Sequence, residues 1–455
     1  MNQKNYIYQA FLLVLLITVS FGVLSFFDTQ KTFFSYQLKK IDMFSDIVID
    51  AKAEDKPLIK QALVELEEPL TENCPNDLEC IQNFTDNRHP LDSLFRKLQF
   101  AKLKKNSVRI AWFGDSFTDA DLVVCDLRDT LQSVFGGNGV GFVPITHESA
   151  GYRRSVRHVF GGWHTSSILA RKGNTNFGIN GFLYQPDSAN FVKYTTSKQF
   201  RHTRKFDVFR LFYSTKSESK ARITFNDSIQ LASNLLPAQG PSMLTLYNTG
   251  SSKVKVNLSN RHRVLVYGAS LEDSTGLYID NYAIKGNSGL SLLAIPNHNL
   301  QAFDSLLNYD LIVLQFGLNA LTPNNIRYTS YLEGMERVVA KFRKTFGNTP
   351  ILMISVSDKS ERLNGEFVTM KEVKNLVYAQ KQFAIRNKLL FWNLYDAMGG
   401  ENSMPKFVMA NPPLASKDYT HMSFAGSRLI GHKLARSILH ENTKYIERRN
   451  QFVAN

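Results

Sequence analysis

Strands alternate with helices along the second half of this chain, and this alternation restricts its fold more than any other feature. Nearly continuous apolar runs at 309–316, 350–356 and 389–393 are separated by apolar-periodic segments at 331–346 and 370–386. A strand that is apolar throughout is buried on both faces, and such strands alternate with helices in parallel sheets. The pattern therefore predicts an α/β fold whose parallel sheet is covered by helices on both faces.

An earlier strand of the same kind ends at a serine. The apolar run Ile110–Phe113 passes into Gly114, Asp115 and Ser116, and an apolar-periodic segment follows at 120–135. Such a strand delivers Ser116 to the carboxyl edge of the sheet, where ligands bind in α/β folds. We expect Ser116 at the start of the next helix, where free N–H groups favour a developing oxyanion. The alternative is a turn in which the serine only caps that helix.

The sequence pattern changes between these two α/β parts. Short alternating runs with turn residues between them extend from about 151 to 263, which predicts an inserted β-sandwich, and the α/β pattern resumes at Val264. Before this region, the glycine-rich run 136–142 predicts a loop that approaches another backbone closely. Several aromatic residues of the inserted region could either stack on sugars or form its core: Tyr152, Trp163, Phe177, Tyr184 and Phe212.

The two N-terminal segments precede any folded domain. Residues 1–27 are almost continuously apolar from position 6, which is long enough for a membrane-spanning helix. No clear cleavage site follows, so we favour an uncleaved signal anchor over a secretory signal peptide. Residues 28–90 contain four prolines and many charges, and we interpret them as a tether. Cys74 and Cys80 in this segment either pair in an oxidising compartment or remain thiols.

Composition excludes several classes of function. With 43% hydrophobic and 21% charged residues among 455, the chain is globular. The net charge of +14 comes from dispersed Lys and Arg, which favours anionic surroundings such as a cell-wall polymer or a membrane and indicates no nucleic-acid partner. No Cys/His spacing indicates a zinc site, and the glycine-rich run lacks the Gly-Lys-Ser/Thr ending of a phosphate loop. We expect no cofactor.

Four further residues complete a candidate site around Ser116. A serine hydrolase needs a base, a group that orients the base, and donors for the oxyanion. His421 precedes a helix near the chain end and Asp418 lies three residues earlier, a spacing that can bring the carboxylate to the imidazole. Gly286 and Asn319 each follow an apolar segment and can supply donors beside the N–H of Ser116. Taken alone, Asp418 and His421 would be a helix cap and a surface histidine.

These residues fall in four short blocks whose order and context resemble the SGNH (GDSL-like) hydrolase superfamily: Gly114-Asp115-Ser116, Gly286, Gly317-x-Asn319 and Asp418-x-x-His421. The resemblance covers about 105–150 and 264–440. It implies a flavodoxin-like parallel sheet, a Ser116–His421–Asp418 triad, and an oxyanion hole formed by Ser116, Gly286 and Asn319. Ala320 departs from the pattern, because many members carry Asp or Glu after that asparagine.

Within that superfamily the chain most resembles the peptidoglycan O-acetylesterases of Gram-negative bacteria and their envelope relatives. The resembling stretches are Ala120-Asp121, Leu127-Arg128, Leu131-Gln132, Phe135-Gly136, Gly141-Phe142-Val143, Met398-Gly399-Gly400 and Ser403-Met404. The resemblance implies a carbohydrate-binding-like inserted β-domain and removal of acetyl groups from a cell-wall sugar through an acetyl-enzyme on Ser116. Two alternatives stay open: a polysaccharide O-acetyltransferase with the same triad, and a membrane-tethered glycan-binding protein.

The expected organisation follows from these interpretations: a membrane anchor at 1–27, a tether at 28–90, a discontinuous hydrolase domain at 91–150 and 264–440, a β-sandwich insertion at 151–263, and a C-terminal tail at 441–455. The expected partner is an acetylated glycan, with the anchor in the inner membrane and the hydrolase in the periplasm. Arg153 and Arg154, just after the glycine-rich loop, are expected to hold an anionic or hydroxyl-rich substrate.

Overall fold

The computed structural model describes residues 11–12, 15–16, 74–104, 106–170, 175–259, 264–324 and 327–454. The chain divides into two compact units, Met1–Glu67 and Glu68–Asn455. In the N-terminal unit the described residues 11–12 and 15–16 are helical and exposed. The rest of the expected anchor, and the expected tether as far as 73, lie outside the described residues. No helix in the described ranges is long and apolar enough to cross a bilayer.

The described part of the larger unit contains eight α-helices, numbered here in chain order: α1 Asp92–Lys104, α2 Val124–Phe135, α3 Asn297–Leu307, α4 Thr329–Phe346, α5 Lys371–Arg386, α6 Leu394–Met398, α7 Ser403–Met409 and α8 Phe424–Ala454.

The same part of the chain contains seventeen strands: β1 Gln82–Asn83, β2 Ser107–Gly114, β3 Gly141–Val143, β4 Val156–Ser167, β5 Phe182–Thr196, β6 Phe206–Thr215, β7 Ser219–Phe225, β8 Ile229–Leu235, β9 Ala238–Ser251, β10 Lys253–Ser259, β11 Val264–Glu272, β12 Gly276–Asn281, β13 Tyr309–Gln315, β14 Ile351–Ile354, β15 Ser360–Leu363, β16 Glu366–Thr369 and β17 Leu390–Trp392.

A parallel sheet forms the centre of the unit, in the order β1-β17-β14-β13-β2-β12. All its strands run parallel except the short edge strand β1, which pairs antiparallel with β17. Strands β13 and β14 are buried along their whole length, which explains why they appear as unbroken apolar runs in the sequence. The predicted parallel α/β fold is confirmed.

A second sheet is formed by the chain between β2 and β12 of the parallel sheet. Its nine described strands are joined antiparallel in one continuous network, with the path β8-β7-β10-β5-β11-β6-β9, β3 added to β11 and β4 added to β5. The predicted β-rich region is therefore present, but its hydrogen bonding does not separate into the two sheets of a sandwich. The 15-residue β5 is long enough to pair with β4, β10 and β11 and so joins strands that would otherwise form two sheets.

Strand β11 corrects one assignment made from the sequence. The run beginning at Val264 was expected to resume the α/β pattern, but it pairs with β6, β5 and β3 of the antiparallel sheet. Nearly all of its residues are buried, so it lacks the alternation that marks a half-exposed strand. The parallel sheet resumes only at β12.

Both ends of the larger unit also differ from expectation. Cys74 and Cys80 form a disulfide, and β1, just after it, pairs with β17. The segment that begins at residue 74 is therefore part of the folded unit and not of a tether. Helix α8 runs on through the expected tail to Ala454. Helix α8 also contacts the disulfide loop, because the hydroxyl of Ser437 on α8 donates to the carbonyl oxygen of Glu79 at 2.6 Å.

Buried charges join the two sheets. Arg109 on β2 donates to Asp280 on β12 at 3.0 Å and also pairs with Glu272 at the end of β11. Arg210 of β6 adds a second guanidinium to Glu272 at 3.1 Å. Because burial of an unpaired charge is costly, these pairs hold the antiparallel sheet in one orientation against the parallel sheet.

The glycine-rich loop lies at the same junction. Gly139 has φ +97°, and a Cβ added there would lie 2.2 Å from the carbonyl oxygen of Leu271. The close approach of two backbones that this run predicted is confirmed, and it brings β3 alongside β11.

Candidate active site

Three neighbouring strands end where the candidate residues lie. Strand β2 has β13 on one side and β12 on the other, with Gly114 opposite Gln315 and Trp112 opposite Asn281. Ser116 follows β2, Asn319 follows β13, and Gly286 follows β12. The N–H of Ile284 also donates to the carbonyl oxygen of Gly114 at 3.0 Å. Ser116, Gly286 and Asn319 therefore all lie in loops at the carboxyl edge of the sheet.

Ser116 lies in a tight turn and not at a helix start, which corrects the sequence-based expectation. The carboxylate of Asp115 accepts from the N–H of Phe117 at 2.9 Å, and Thr118 N–H donates to the carbonyl oxygen of Asp115 at 3.3 Å. A single 3₁₀ turn follows, and α2 begins only at Val124. Ala120, Asp121 and Val123 have positive φ angles, so the backbone is not helical at these residues, although the spacing of the apolar residues had predicted a helix. Orientation of Ser116 depends on Asp115, not on a helix dipole.

A series of buried hydrogen bonds joins this turn to the adjacent strands β2 and β13. Trp112 Nε1–H donates to Thr118 Oγ at 3.2 Å, Thr118 donates to Gln315 Oε1 at 3.2 Å, and Gln315 Nε2 donates to Asp115 Oδ1 at 3.4 Å. Every group donates in the same direction, toward the carboxylate. Burial raises the pKa of Asp115 to about 6, against the hydrogen bonds from Phe117 and Gln315, which lower it.

The predicted nucleophile, base and acid are in hydrogen-bond contact. Ser116 Oγ lies 3.0 Å from His421 Nε2, and His421 Nδ1 lies 2.7 Å from Asp418 Oδ2. This network assigns the proton of neutral His421 to Nδ1, which leaves Nε2 to accept from the serine. Burial raises the pKa of Asp418, but the hydrogen bonds from the ring and backbone of His421 and from Thr420 N–H outweigh it, so the pKa is lowered overall. The carboxylate is thus kept ionised beside the imidazole.

Hydrogen bonds and a ring contact fix the turn that carries Asp418 and His421. Ser416 N–H donates to the carbonyl oxygen of His421 at 2.8 Å, and Ser360 N–H donates to that of Tyr419 at 3.1 Å. Tyr419 has φ +54°, and its ring stacks on Phe367 with 3.6 Å between centroids. The β15–β16 hairpin therefore holds Tyr419, which lies between Asp418 and His421 in the chain.

Two of the three candidate oxyanion donors, Asn319 and Gly286, lie in segments that contact each other. The side-chain amide of Asn319 donates to the carbonyl oxygen of Asn287 at 3.1 Å, so it lies against the turn that begins at Gly286. Gly286 is exposed, with φ +82°, a conformation that favours glycine. Asn287 itself is fully buried and accepts from Gly289 N–H and the Ser291 hydroxyl, which fixes the turn.

Arg153 and Arg154, which were expected to hold an anionic or hydroxyl-rich substrate, each lie beside a carboxylate, and Arg153 also lines a pocket with Asp119 and Ser149. The Arg154 guanidinium pairs with Asp126 at 2.5 Å and lies over the ring of Phe424 at 4.8 Å. The Arg153 side chain is 7% exposed and lies 3.6 Å from Asp121. Their partner carboxylates lie in the 3₁₀ turn before α2 (Asp121) and in the first turn of α2 (Asp126), and a role of the two arginines in substrate binding stays a prediction.

The aromatic residues of the insertion separate into two groups. Phe177, Tyr184 and Phe212 are buried in the core, whereas Tyr152 is exposed and Trp163 is half-buried at the edge of a groove. The core alternative is confirmed for the three buried residues, and sugar stacking by Tyr152 and Trp163 stays a prediction. A period-2 pattern alone could not assign them, because a strand's two faces become inside and outside only after sheets pack.

Sequence reasoning missed the supporting residues. Gln315 stands at the end of an apolar strand and Thr118 just before the predicted helix, so neither was singled out as part of the site. Phe367 lies on a short hairpin that contains no candidate catalytic residue. A buried glutamine at the end of an otherwise apolar strand was the one local signal available, because buried polar groups require partners.

Comparisons with known proteins bear on the fold. No family model matches the chain, and no curated protein matches it. The solved structure of a peptidoglycan O-acetylesterase is similar over 80% of this chain and 99% of its own, with 20% identity and a TM-score of 0.65. An acetyl xylan esterase matches over 36% of this chain and 81% of its own, with 15% identity and a TM-score of only 0.26. At 20% identity the likeness establishes architecture, so the chain has the fold of a peptidoglycan O-acetylesterase, as its resemblance to the SGNH (GDSL-like) hydrolases implied.

Proposed function

We propose that this chain is a serine esterase that removes O-acetyl groups from an envelope polysaccharide, with peptidoglycan as the substrate class. The observation that carries the proposal is the contact series Ser116 Oγ–His421 Nε2 at 3.0 Å and His421 Nδ1–Asp418 at 2.7 Å. The fold of a peptidoglycan O-acetylesterase supports the choice of acetylated glycan over other esters.

The contacts supply each step of acyl transfer. His421 Nε2 takes the hydroxyl proton as Ser116 Oγ attacks the acetyl carbonyl, and Asp418 stabilises the imidazolium. The N–H groups of Ser116 and Gly286 and the amide of Asn319 bind the oxyanion. The sugar oxygen leaves with the proton from His421, which leaves an acetyl ester on Ser116. Water then gives a proton to His421 and attacks this ester, releasing acetate and restoring the serine.

The disulfide supports a place outside the cytoplasm. Disulfides such as Cys74–Cys80 persist in oxidising compartments, including the bacterial periplasm. We therefore keep the apolar segment 1–27 as the proposed inner-membrane anchor and the catalytic unit as periplasmic. A fusion of segment 1–73 to a reporter that is active only outside the cytoplasm tests this placement, and a reporter that stays inactive contradicts it.

Acetate release from O-acetylated peptidoglycan tests the activity. We expect the wild type to release acetate and Ser116→Ala to lose about 10⁶-fold in kcat, because a triad without its nucleophile has no acyl-enzyme route. A matched control is Ser133→Ala, which changes an exposed serine of α2. Unchanged acetate release by Ser116→Ala would refute the triad, and acetyl-glycan formed faster than free acetate would indicate a transferase instead.

A further inference from the structure

The antiparallel sheet ends at β8, a strand that pairs with β7 on one side and with no described strand on the other. We propose that this edge pairs with β8 of a second copy of the chain, so that two copies associate through one continuous antiparallel sheet. The inference goes beyond the proposed esterase function, since it uses no residue of the candidate active site.

The edge strand continues the apolar core face of the sheet. Ile223 and Phe225 of β7 are fully buried, and the residues opposite them on β8 are Leu231 and Ile229. Residues that stand opposite each other in antiparallel strands lie on the same face of the sheet. Leu231 is nevertheless 37% exposed and Ile229 is 44% exposed. The core face therefore extends onto a strand whose apolar side chains are partly uncovered and whose outer backbone groups have no described partner strand.

This edge lacks the features by which proteins usually prevent the addition of another strand. Those features are charged side chains, prolines and bulges on the edge strand. Strand β8 reads Ile-Gln-Leu-Ala-Ser-Asn-Leu, and its register with β7 is unbroken over these 7 residues. No charged residue occurs from 228 to 252, although 21% of the whole chain is charged. Another strand can therefore add to β8 without burying a charge.

The sequence of β8 favours a second copy as the partner, because it is nearly self-complementary about Ala232. In an antiparallel pair of two copies centred on that residue, the facing pairs are Ile229 with Leu235, Gln230 with Asn234, and Leu231 with Ser233. The first two pairs match apolar with apolar and amide with amide, and a two-fold axis repeats each contact. The neutral run also matters, because a net charge of +14 makes two copies repel each other where charged surfaces meet.

The association should be reversible, because pairing of two such short edges adds little area compared with the about 1,200–2,000 Å² of a stable interface. Cross-linking detects an association of this kind. Opposed residues of antiparallel strands have Cα atoms about 4.5–5.5 Å apart, within the range of about 4.4–6.8 Å that disulfides span. Ala232→Cys should therefore link two copies. Gln230→Cys should not, because position 230 of the second copy lies four residues along the strand, at about 13 Å.

The test oxidises the full-length chain with copper phenanthroline and separates the products on non-reducing gels. We expect Ala232→Cys to form a covalent dimer and Gln230→Cys, at another exposed position of β8, to stay monomeric. A mixture of Gln230→Cys and Asn234→Cys should form the dimer, because the register places these positions opposite each other. The native cysteines do not interfere, since two form a disulfide and the third is buried.

A charge on the edge strand should oppose the association. Adding Leu231→Lys to Ala232→Cys is expected to lower the dimer yield about tenfold, because like charges brought together across an interface weaken binding. The matched control adds Ile446→Lys, since Ile446 on α8 is also 37% exposed.

Three outcomes would overturn the proposal. If Ala232→Cys stays monomeric although circular dichroism shows it folded, a second copy does not pair with this edge. Equal dimer yields from Ala232→Cys and Gln230→Cys would mean that the link forms by random collision. Equal losses with Leu231→Lys and Ile446→Lys would mean that the contact is not at β8. If Ala232→Cys does not fold, the mixture of Gln230→Cys and Asn234→Cys decides, and absence of its dimer refutes the pairing.

Discussion

The ring of Phe367 lies flat against the ring of Tyr419, with 3.6 Å between centroids and 9° between planes. Tyr419 stands between the candidate acid and base, and its carbonyl oxygen accepts from Ser360 N–H of the same hairpin at 3.1 Å. The hairpin is therefore a support for the imidazole of His421, although it contributes no reacting group.

We expect Phe367→Ala to lower kcat for a small acetyl ester about tenfold with KM unchanged, because small displacements of a catalytic group cost large factors in rate. An aromatic pair contributes about 0.5–1.5 kcal/mol, and Phe367 is 38% exposed, so the variant should remain folded. Steady-state kinetics on 4-nitrophenyl acetate measures the change. Phe367→Tyr should restore kcat, and Leu363→Ala on the same hairpin is the control. Equal losses in Phe367→Ala and Leu363→Ala would contradict a role for the stack.

Asn319→Ala should lower kcat by about 10²–10³, because it removes one proposed donor to the oxyanion. Asn319 is exposed, so its replacement should leave the midpoint of thermal unfolding close to that of wild type. Single-substrate kinetics and a thermal melt check the two statements. Asn234→Ala, at an exposed asparagine of β8, is the control. A decrease in kcat smaller than threefold would remove Asn319 from the oxyanion hole.

Gly114→Ala should destabilise the protein by about 1–3 kcal/mol and reduce activity, because an added methyl overfills the site. The new Cβ would lie 2.3 Å from Thr118 Oγ and 3.0 Å from Gln315 Oε1. Gly151→Ala is the matched control, since no atom lies within 4 Å of its added Cβ. Denaturant unfolding measures both variants. If the two substitutions cost the same, the packing around Gly114 is not what requires glycine.

The buried carboxyl of Asp115 should make stability depend on pH. Burial raises its pKa from 3.8 to about 6, so the folded state binds the proton more tightly than the unfolded chain between these values. The free energy of unfolding contributed by this group therefore falls as pH rises from about 4 to about 6, by up to about 3 kcal/mol. Asp115→Asn should lack this decline.

Denaturant unfolding at pH 4 and pH 7 tests this prediction, with Glu361→Gln, at an exposed carboxyl, as the control. The difference between the two pH values should be smaller in Asp115→Asn than in wild type. A difference equal to that of wild type would mean that Asp115 carries no excess proton in the folded state.

Much of the site was predictable because its parts are local. A strand that ends in Gly114-Asp115-Ser116 and a loop that places Asp418 three residues before His421 each carry their geometry in a few residues. The start of α2 was not predictable in the same way. The apolar spacing at 120–135 fits a helix, but buried contacts of Asp121 with Arg128 and Ser155 accompany an interrupted backbone there.

The sequence by itself determined the α/β class, the strand ends that bear Ser116 and Asn319, and the pairing of Asp418 with His421, because periodicity and short spacings act within a few turns of backbone. Only the tertiary structure decided that β2 lies between β13 and β12, that β11 joins the antiparallel sheet, and that Phe367 stacks on Tyr419. These relationships join residues far apart in the chain, and the packing of buried faces selects them after the elements have formed.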